Sequence, residues 1–156
     1  MNRDKHIKLA LEEDCCRQDV TTKLLPIDRK CKAIIKIKET SHVYGIRWLE
    51  QVFKKIDKKV RIKFYIKDGQ YTKKNTIIAE IIGSNHSLLK AERVALNYLQ
   101  AMSGTYDLCK RFQKKIKHTK IKLLHTRKTL PLFRAPLKEA CIAAGCMPHR
   151  DDLSTA

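Results

Sequence analysis

Residues 88–104, LLKAERVALNYLQAMSG, constrain this chain more than any other stretch. Leu88, Leu89, Leu96, Leu99 and Met102 recur at three- and four-residue steps, which predicts a helix with one apolar stripe that must be covered. Gly83, Ser84 and Asn85 just upstream supply a turn and an N-cap, because a short polar side chain can accept from free N–H groups. Ser103-Gly104 is expected to weaken or bend the helix. Glu92 and Arg93 sit side by side within this core-building segment. They read equally as a solvated pair on the outer face or as an arginine that a rigid support delivers to an anionic ligand.

The preceding residues supply a layer for the stripe to cover. Ile7, Leu9, Ala10 and Leu11 mark a short leading helix, followed by Glu12, Glu13 and Asp14 as a solvated end. Asp19-Val20-Thr21-Thr22 and Pro26 break the pattern. Ala33, Ile35 and Ile37 alternate with Lys32, Lys36 and Lys38, which predicts a half-buried strand with a wet lysine face. Ile46, Leu49, Val52, Phe53 and Ile56 predict a helix over 46–56. Val60, Ile62, Phe64 and Ile66 alternate with polar residues as a second strand, and Asp68-Gly69 and Lys74-Asn75 are turn signals. Residues 76–82 complete the strands. An antiparallel sheet covered by helices, an α+β layer, follows from this order. Beyond Gly104, Tyr106, Cys109, Phe112 and Ile116 continue a helical pattern, residues 121–124 predict a short strand, and 134–144 predict a helix.

Charge and cysteine usage bound the function. The 156 residues hold 34 Lys plus Arg against 16 Asp plus Glu, a net charge of +18. Such an excess suits nucleic acid or a small polyanionic substrate. Twenty-four of the cations are lysines spread along an isoleucine-rich chain, so a biased coding background accounts for the charge equally well. No run of eighteen apolar residues is present and the N-terminus lacks a signal core, so a soluble, cytoplasmic protein is expected. The six cysteines include no C-x-x-C pair. Reduced thiols without special chemistry and no metal site are therefore expected.

Groups able to carry chemistry gather late in the chain. Thr126-Arg127-Lys128-Thr129 follows the predicted strand 121–124 directly, as polar groups do at strand carboxyl ends in α/β folds. Arg127 offers a planar fork for a carboxylate or phosphate, and Lys128 a point charge beside it. His149-Arg150 repeats the theme after the next helix. Taken alone these basic tripeptides are weak signals, and His149 reads more simply as a surface or capping residue. No carboxylate pair, glycine-rich phosphate cradle or nucleophile elbow accompanies them, so no catalytic residue is assigned.

The order of the pieces is more specific. Glu13-Asp14-x3-Gln18-Asp19-Val-Thr-Thr, then Asp68-Gly69, Leu89-Lys-Ala-Glu-Arg-Val-Ala-Leu-Asn97 with Ser103-Gly104, Thr126-Arg-Lys-Thr129 and His149-Arg150 together resemble quinolinate phosphoribosyltransferase. A molybdenum-transport-associated relative shares much of this pattern. The resemblance implies an N-terminal α+β sandwich domain at 1–107 and, over 108–156, the first part of an α/β barrel. It implies transfer of the phosphoribosyl group from phosphoribosyl pyrophosphate to quinolinate in NAD biosynthesis, with release of CO2 and pyrophosphate. Mg2+ is expected with the donor, its ligands lying outside this sequence. Arg93 matches the substrate arginine that one subunit gives to its neighbour's site in a homodimer. Arg127 and Lys128 match a pair facing quinolinate, and His149 and Arg150 the later basic pair. Nucleic acid then becomes an unexpected partner. The alternatives are a basic nucleic-acid module and a non-catalytic domain that docks on an intact barrel.

Departures from the family pattern accompany the resemblance. His125 stands where the family has Asp. The family's T-P-G-L-R becomes Leu130-Pro131-Leu132-Phe133-Arg134, which loses a glycine, and its glycine-rich run becomes Ala144-Gly145-Cys146-Met147-Pro148. Strain is expected wherever the lost glycines served positive φ. A barrel takes about 250 residues, and 49 remain from Leu108 onward. The 156-residue polypeptide is therefore expected to show little activity by itself.

Overall fold

A computed structural model describes residues 2–14 and 27–148. The element order is α1 (Arg3–Glu13), β1 (Lys30–Lys36), β2 (Ser41–Val43), α2 (Ile46–Ile56), β3 (Arg61–Phe64), β4 (Gln70–Thr72), β5 (Ile77–Ser84), α3 (Asn85–Ile116) and α4 (Arg134–Ala143). The breaker run at 19–22, Gln18 and Pro26, Cys15 and Cys16, and the basic pair His149 and Arg150 lie outside the described residues.

Period-2 patterning gives two antiparallel ladders. One sheet has the order β1-β5-β3, and β2 pairs with β4. On the sheet's outer face Glu80 lies opposite Lys63 in the register and takes an ion pair from Lys32 at 2.7 Å. The inner face gives Ile78 and Ile81 to a core with Val60, Leu49, Val52, Phe53 and Leu88. α2 has the bounds its periodicity predicts. Its buried face also includes Trp48, which the apolar spacing alone did not select.

The long helix has the expected cap but lacks the expected turn before it. β5 runs directly into α3 with no intervening turn, and Ser84 is the N-cap, accepting from the Ser87 N–H at 3.0 Å. Ser103-Gly104 does not interrupt the helix, which continues to Ile116. The Ser103 hydroxyl is engaged elsewhere, accepting from the Tyr44 N–H at 3.0 Å and donating to the Tyr44 carbonyl at 3.1 Å. Gly104 costs a helix interior about 1 kcal/mol. Packing of Leu99, Met102, Tyr106 and Cys109 on either side outweighs that cost. The buried stripe is Leu88, Ala91, Val94, Ala95, Tyr98, Leu99, Met102, Tyr106 and Cys109, so Leu89 and Leu96 flank it and Phe112 is exposed. The expected domain boundary at 107/108 falls inside this helix.

The predicted strand at 121–124 is only a single parallel bridge between Leu124 and Met147. Met147 donates to the Leu123 carbonyl at 2.8 Å, and the His125 N–H donates to the Met147 carbonyl at 3.1 Å. This is one strand–helix–strand step of a parallel sheet, with α4 as the crossover. α4 is fastened to the first half of the chain. Its Glu139 accepts from Trp48 Nε1 at 3.0 Å and pairs with Arg3 at 3.3 Å. Trp48, Tyr98 and Phe133 stack in sequence, with centroids 4.9 and 5.0 Å apart.

Asp68 supplies the missing cap of α2. Gly45 has no side chain to serve as N-cap, and the Asp68 carboxylate accepts from the Gly45 N–H at 2.7 Å and the Ile46 N–H at 2.9 Å. Asp68→Ala is expected to destabilise the chain by about 1–2 kcal/mol, read by urea denaturation, since it removes a charge-assisted cap. A second carboxylate contributes to stability toward acid. Burial raises the Asp107 pKa, but bonds from the His42 ring at 2.7 Å and the His42 N–H at 3.2 Å, with the Arg111 guanidinium, outweigh it and hold the group below the ordinary carboxylate range. A depressed carboxylate stabilises fully above its unfolded pKa, about 4, and loses that contribution as pH falls through the folded value. Asp107→Asn is therefore expected to flatten the fall in thermal midpoint on acidification below about pH 4.

Candidate functional site

Arg93 is placed by helical geometry. Ala91, Val94 and Ala95 are buried, so Glu92 and Arg93 turn outward. The guanidinium pairs with the Asp14 carboxylate at 3.1 Å, and its side chain remains 72% exposed. Asp14 is the C-cap of α1, its N–H returning to the Ala10 carbonyl at 3.1 Å. The acidic end of α1 is thus partly engaged and not wholly solvated as expected.

Arg127 and Lys128 lie on a tight turn just past the parallel bridge. The Lys128 N–H donates to Thr126 Oγ1 at 3.0 Å, and the Thr129 N–H to the Arg127 carbonyl at 3.1 Å. Threonine hydroxyls close such turns by mimicking a backbone acceptor. Both cationic side chains are exposed. His125, one residue before this turn, is 4% exposed, so the residue that departs from the family's Asp lies inward while Arg127 and Lys128 face out.

The lost glycine of the next turn leaves a visible mark. Leu132 has φ +58° and is 74% exposed. The backbone keeps the left-handed conformation that a glycine would adopt without penalty. Its carbonyl hydrogen-bonds His6, whose pKa burial pushes down, with the N-terminal charge adding to the fall and this bond opposing it. Gly145 is retained at φ +99° and closes α4.

A groove of about 1170 Å³ runs between β1 and α3, lined by Ile35, Ile37, Leu89, Leu96 and Glu92 among others. Neither Arg93 nor Arg127 nor Lys128 lines it. The expected site residues therefore sit on two exposed elements, apart from this apolar groove. Among the described residues no group of three His, Cys, Asp or Glu side chains is arranged to hold a metal ion. Sequence reasoning did not single out Glu139, the His42–Asp107 pair, or the meeting of Cys109 and Cys141 at 3.7 Å. The last places two of the free thiols in contact. Each joins residues more than 30 positions apart, so no local spacing could reveal them.

The sequence matches two family models, quinolinate phosphoribosyl transferase N-terminal domain over residues 19–103 and its C-terminal domain over 107–156. It is 37% identical over 146 residues to quinolinate phosphoribosyltransferase (decarboxylating) 1b of Nicotiana tabacum, which covers 92% of this chain and 41% of that protein. Identity is 35% over the same length to the chloroplastic carboxylating nicotinate-nucleotide pyrophosphorylase of Arabidopsis thaliana, again 92% of this chain and 41% of that one. A crystal structure of nicotinate-nucleotide pyrophosphorylase from Ehrlichia chaffeensis shares the fold with a TM-score of 0.89 and 33% identity, covering 98% of this chain and 56% of that chain. The chain thus spans about half the length of these relatives, or less.

Leu132→Gly relieves the left-handed strain without removing a buried contact. The variant is expected to gain about 0.5–1 kcal/mol in urea denaturation, strain relief exceeding the added entropy of the unfolded chain.

Proposed function

Because the chain belongs to the quinolinate phosphoribosyl transferase family, as both matched segments show, we propose that it serves formation of nicotinate mononucleotide. The substrates are quinolinate and phosphoribosyl pyrophosphate, and CO2 and pyrophosphate are released, in NAD biosynthesis. Quinolinate carries two adjacent carboxylates and the donor several phosphates, so the chemistry needs fixed cations that hold both anions in register. Arg127, at the apex of its turn, offers a two-pronged donor to a carboxylate, and Lys128 adds a point charge. His149 and Arg150 take the later basic position on the strength of the family pattern. Mg2+ would accompany the phosphoribosyl donor. Among the described residues no group of three His, Cys, Asp or Glu side chains is arranged for it.

The observation that carries this reading is the placement of Arg93. It stands on the outer face of a rigid helix, tied among the described residues by an exposed ion pair to Asp14, and lies outside the apolar groove of its own subunit. An arginine so placed suits delivery to a neighbouring copy, which fits a homodimer with shared sites. No described helix is long and apolar enough to cross a membrane. The free thiols Cys31, Cys109, Cys141 and Cys146 suit the reducing conditions of a cytoplasmic location.

The test supplies the remaining barrel from a relative, fused or as a second polypeptide, and measures nicotinate mononucleotide made from quinolinate, the donor and Mg2+. The 156-residue chain alone is expected to show little turnover, and the completed protein to be active. Arg93→Ala or Arg127→Ala in the completed protein is expected to lower kcat/KM by about 10- to 100-fold, the loss of a charged hydrogen bond. Mixing the two variants should restore about a quarter of full activity if sites are shared, since half the dimers are mixed and each has one intact site. A completed, folded protein that neither turns over nor binds quinolinate would overturn the proposal.

A further inference from the structure

Three thiols that are distant in sequence converge where α3 meets α4. α4 closes in a Schellman motif: Gly145, at φ +99°, donates to the Ile142 carbonyl at 2.9 Å, and the Cys146 N–H donates to the Cys141 carbonyl at 3.0 Å. This closure folds the residue two past the cap back over the last helical turn, so Cys146 returns to Cys141. On α3, Gln113 fixes the motif by donating from Nε2 to the Gly145 carbonyl at 2.8 Å. One turn earlier, Cys109 donates its S–H to Cys141 Sγ at 3.7 Å.

The three sulfurs are not equivalent. Cys109 and Cys146 are buried, while Cys141 is partly exposed. Hydrogen bonding to Cys141 pushes the Cys109 thiol up, and burial pushes Cys146 up. Cys141 is lowered by the S–H it receives from Cys109, against the opposing effect of burial. Cys141, the least buried of the three, is the candidate nucleophile, with the Cys109 thiol in contact. The cluster is not among groups arranged to hold a metal ion.

We propose that Cys141 and Cys109 form an oxidisable pair which a hydroperoxide converts to a disulfide tying α4 to α3. The Cys141 thiolate attacks one oxygen of hydrogen peroxide. An S–O bond forms, the O–O bond breaks, and the leaving hydroxide takes a proton to become water. Cys109 sulfur then attacks the sulfenic sulfur of Cys141. The S–S bond forms, the S–O bond breaks, and the departing hydroxide leaves as water with the Cys109 proton. Two thiols lose two electrons and one peroxide becomes two waters. The sulfurs must close from 3.7 Å to about 2.05 Å. The link encloses residues 110–140, including the turn that carries Arg127 and Lys128 and the strained Leu132, so oxidation would restrain that segment.

The experiment uses the full chain with Cys15, Cys16 and Cys31 changed to Ser. After hydrogen peroxide and a catalase quench, the protein is unfolded in an alkylating agent, digested and mapped by mass. The expected result is a peptide pair linked through Cys109 and Cys141, with Cys146 alkylated. The thermal midpoint should rise by about 5–10 °C and return on adding dithiothreitol. C141S, judged folded by its melt, should form no link. If it or C109S fails to fold, the map of the unsubstituted cluster decides alone. The proposal is overturned if all three thiols remain alkylated, if Cys141 goes to sulfinic acid unlinked, if the link runs through Cys146, or if stoichiometric bound zinc shields the cluster.

Discussion

α3 lies close against the turn before α2 and the turn before β4, at two left-handed backbone positions that carry no side chain. A Cβ at Gly45 would lie 3.1 Å from Met102 Sδ, and one at Gly69 would lie 2.7 Å from Tyr106 Oη. Met102 and Tyr106 are one turn apart on α3, so the two contacts fix both the height and the rotation of the helix. Between them Ser103 clasps the Tyr44 backbone, and next to Gly69 the Asp68 carboxylate caps α2 through Gly45. One close approach thereby sets the relation of α2, both ladders and α3. The same locked rotation turns Arg93 to solvent one face away from the core.

Local signals were legible where burial followed sequence period. The bounds of α2, the strand around Ile62, the Asp68-Gly69 turn and Asn75 at φ +66° all follow from spacing and turn chemistry. Long-range packing decided the rest. Ser103-Gly104 reads as a weak point in the helix until Tyr44 is present to occupy the hydroxyl. Residues 121–124 read as a strand, but pairing depends on Met147, which meets them only after α4 has turned the chain. Trp48 and Glu139 escape any periodic reading because their hydrogen bond spans the two halves of the chain.

The expected site residues were read in a different way. Arg127 and Lys128 are two cations among thirty-four, and nothing local distinguishes them. Only the order of several motifs did so, and the tight turn closed by Thr126 accounts for why they stand clear of the surface. The lost glycine gives the converse case. A sequence departure located strain at one turn, and Leu132 at φ +58° carries it.

The Asp14–Arg93 pair has one more consequence. An anion that comes to Arg93 does not meet a bare guanidinium, because the carboxylate at the end of α1 already occupies one of its donors. A second anion there would share the guanidinium with Asp14 or displace it. An ion pair this exposed is worth about 0–1 kcal/mol, so the resident carboxylate orders the arginine yet yields readily to a doubly charged competitor. Displacing that carboxylate would free the last turn of α1 from its tether to α3.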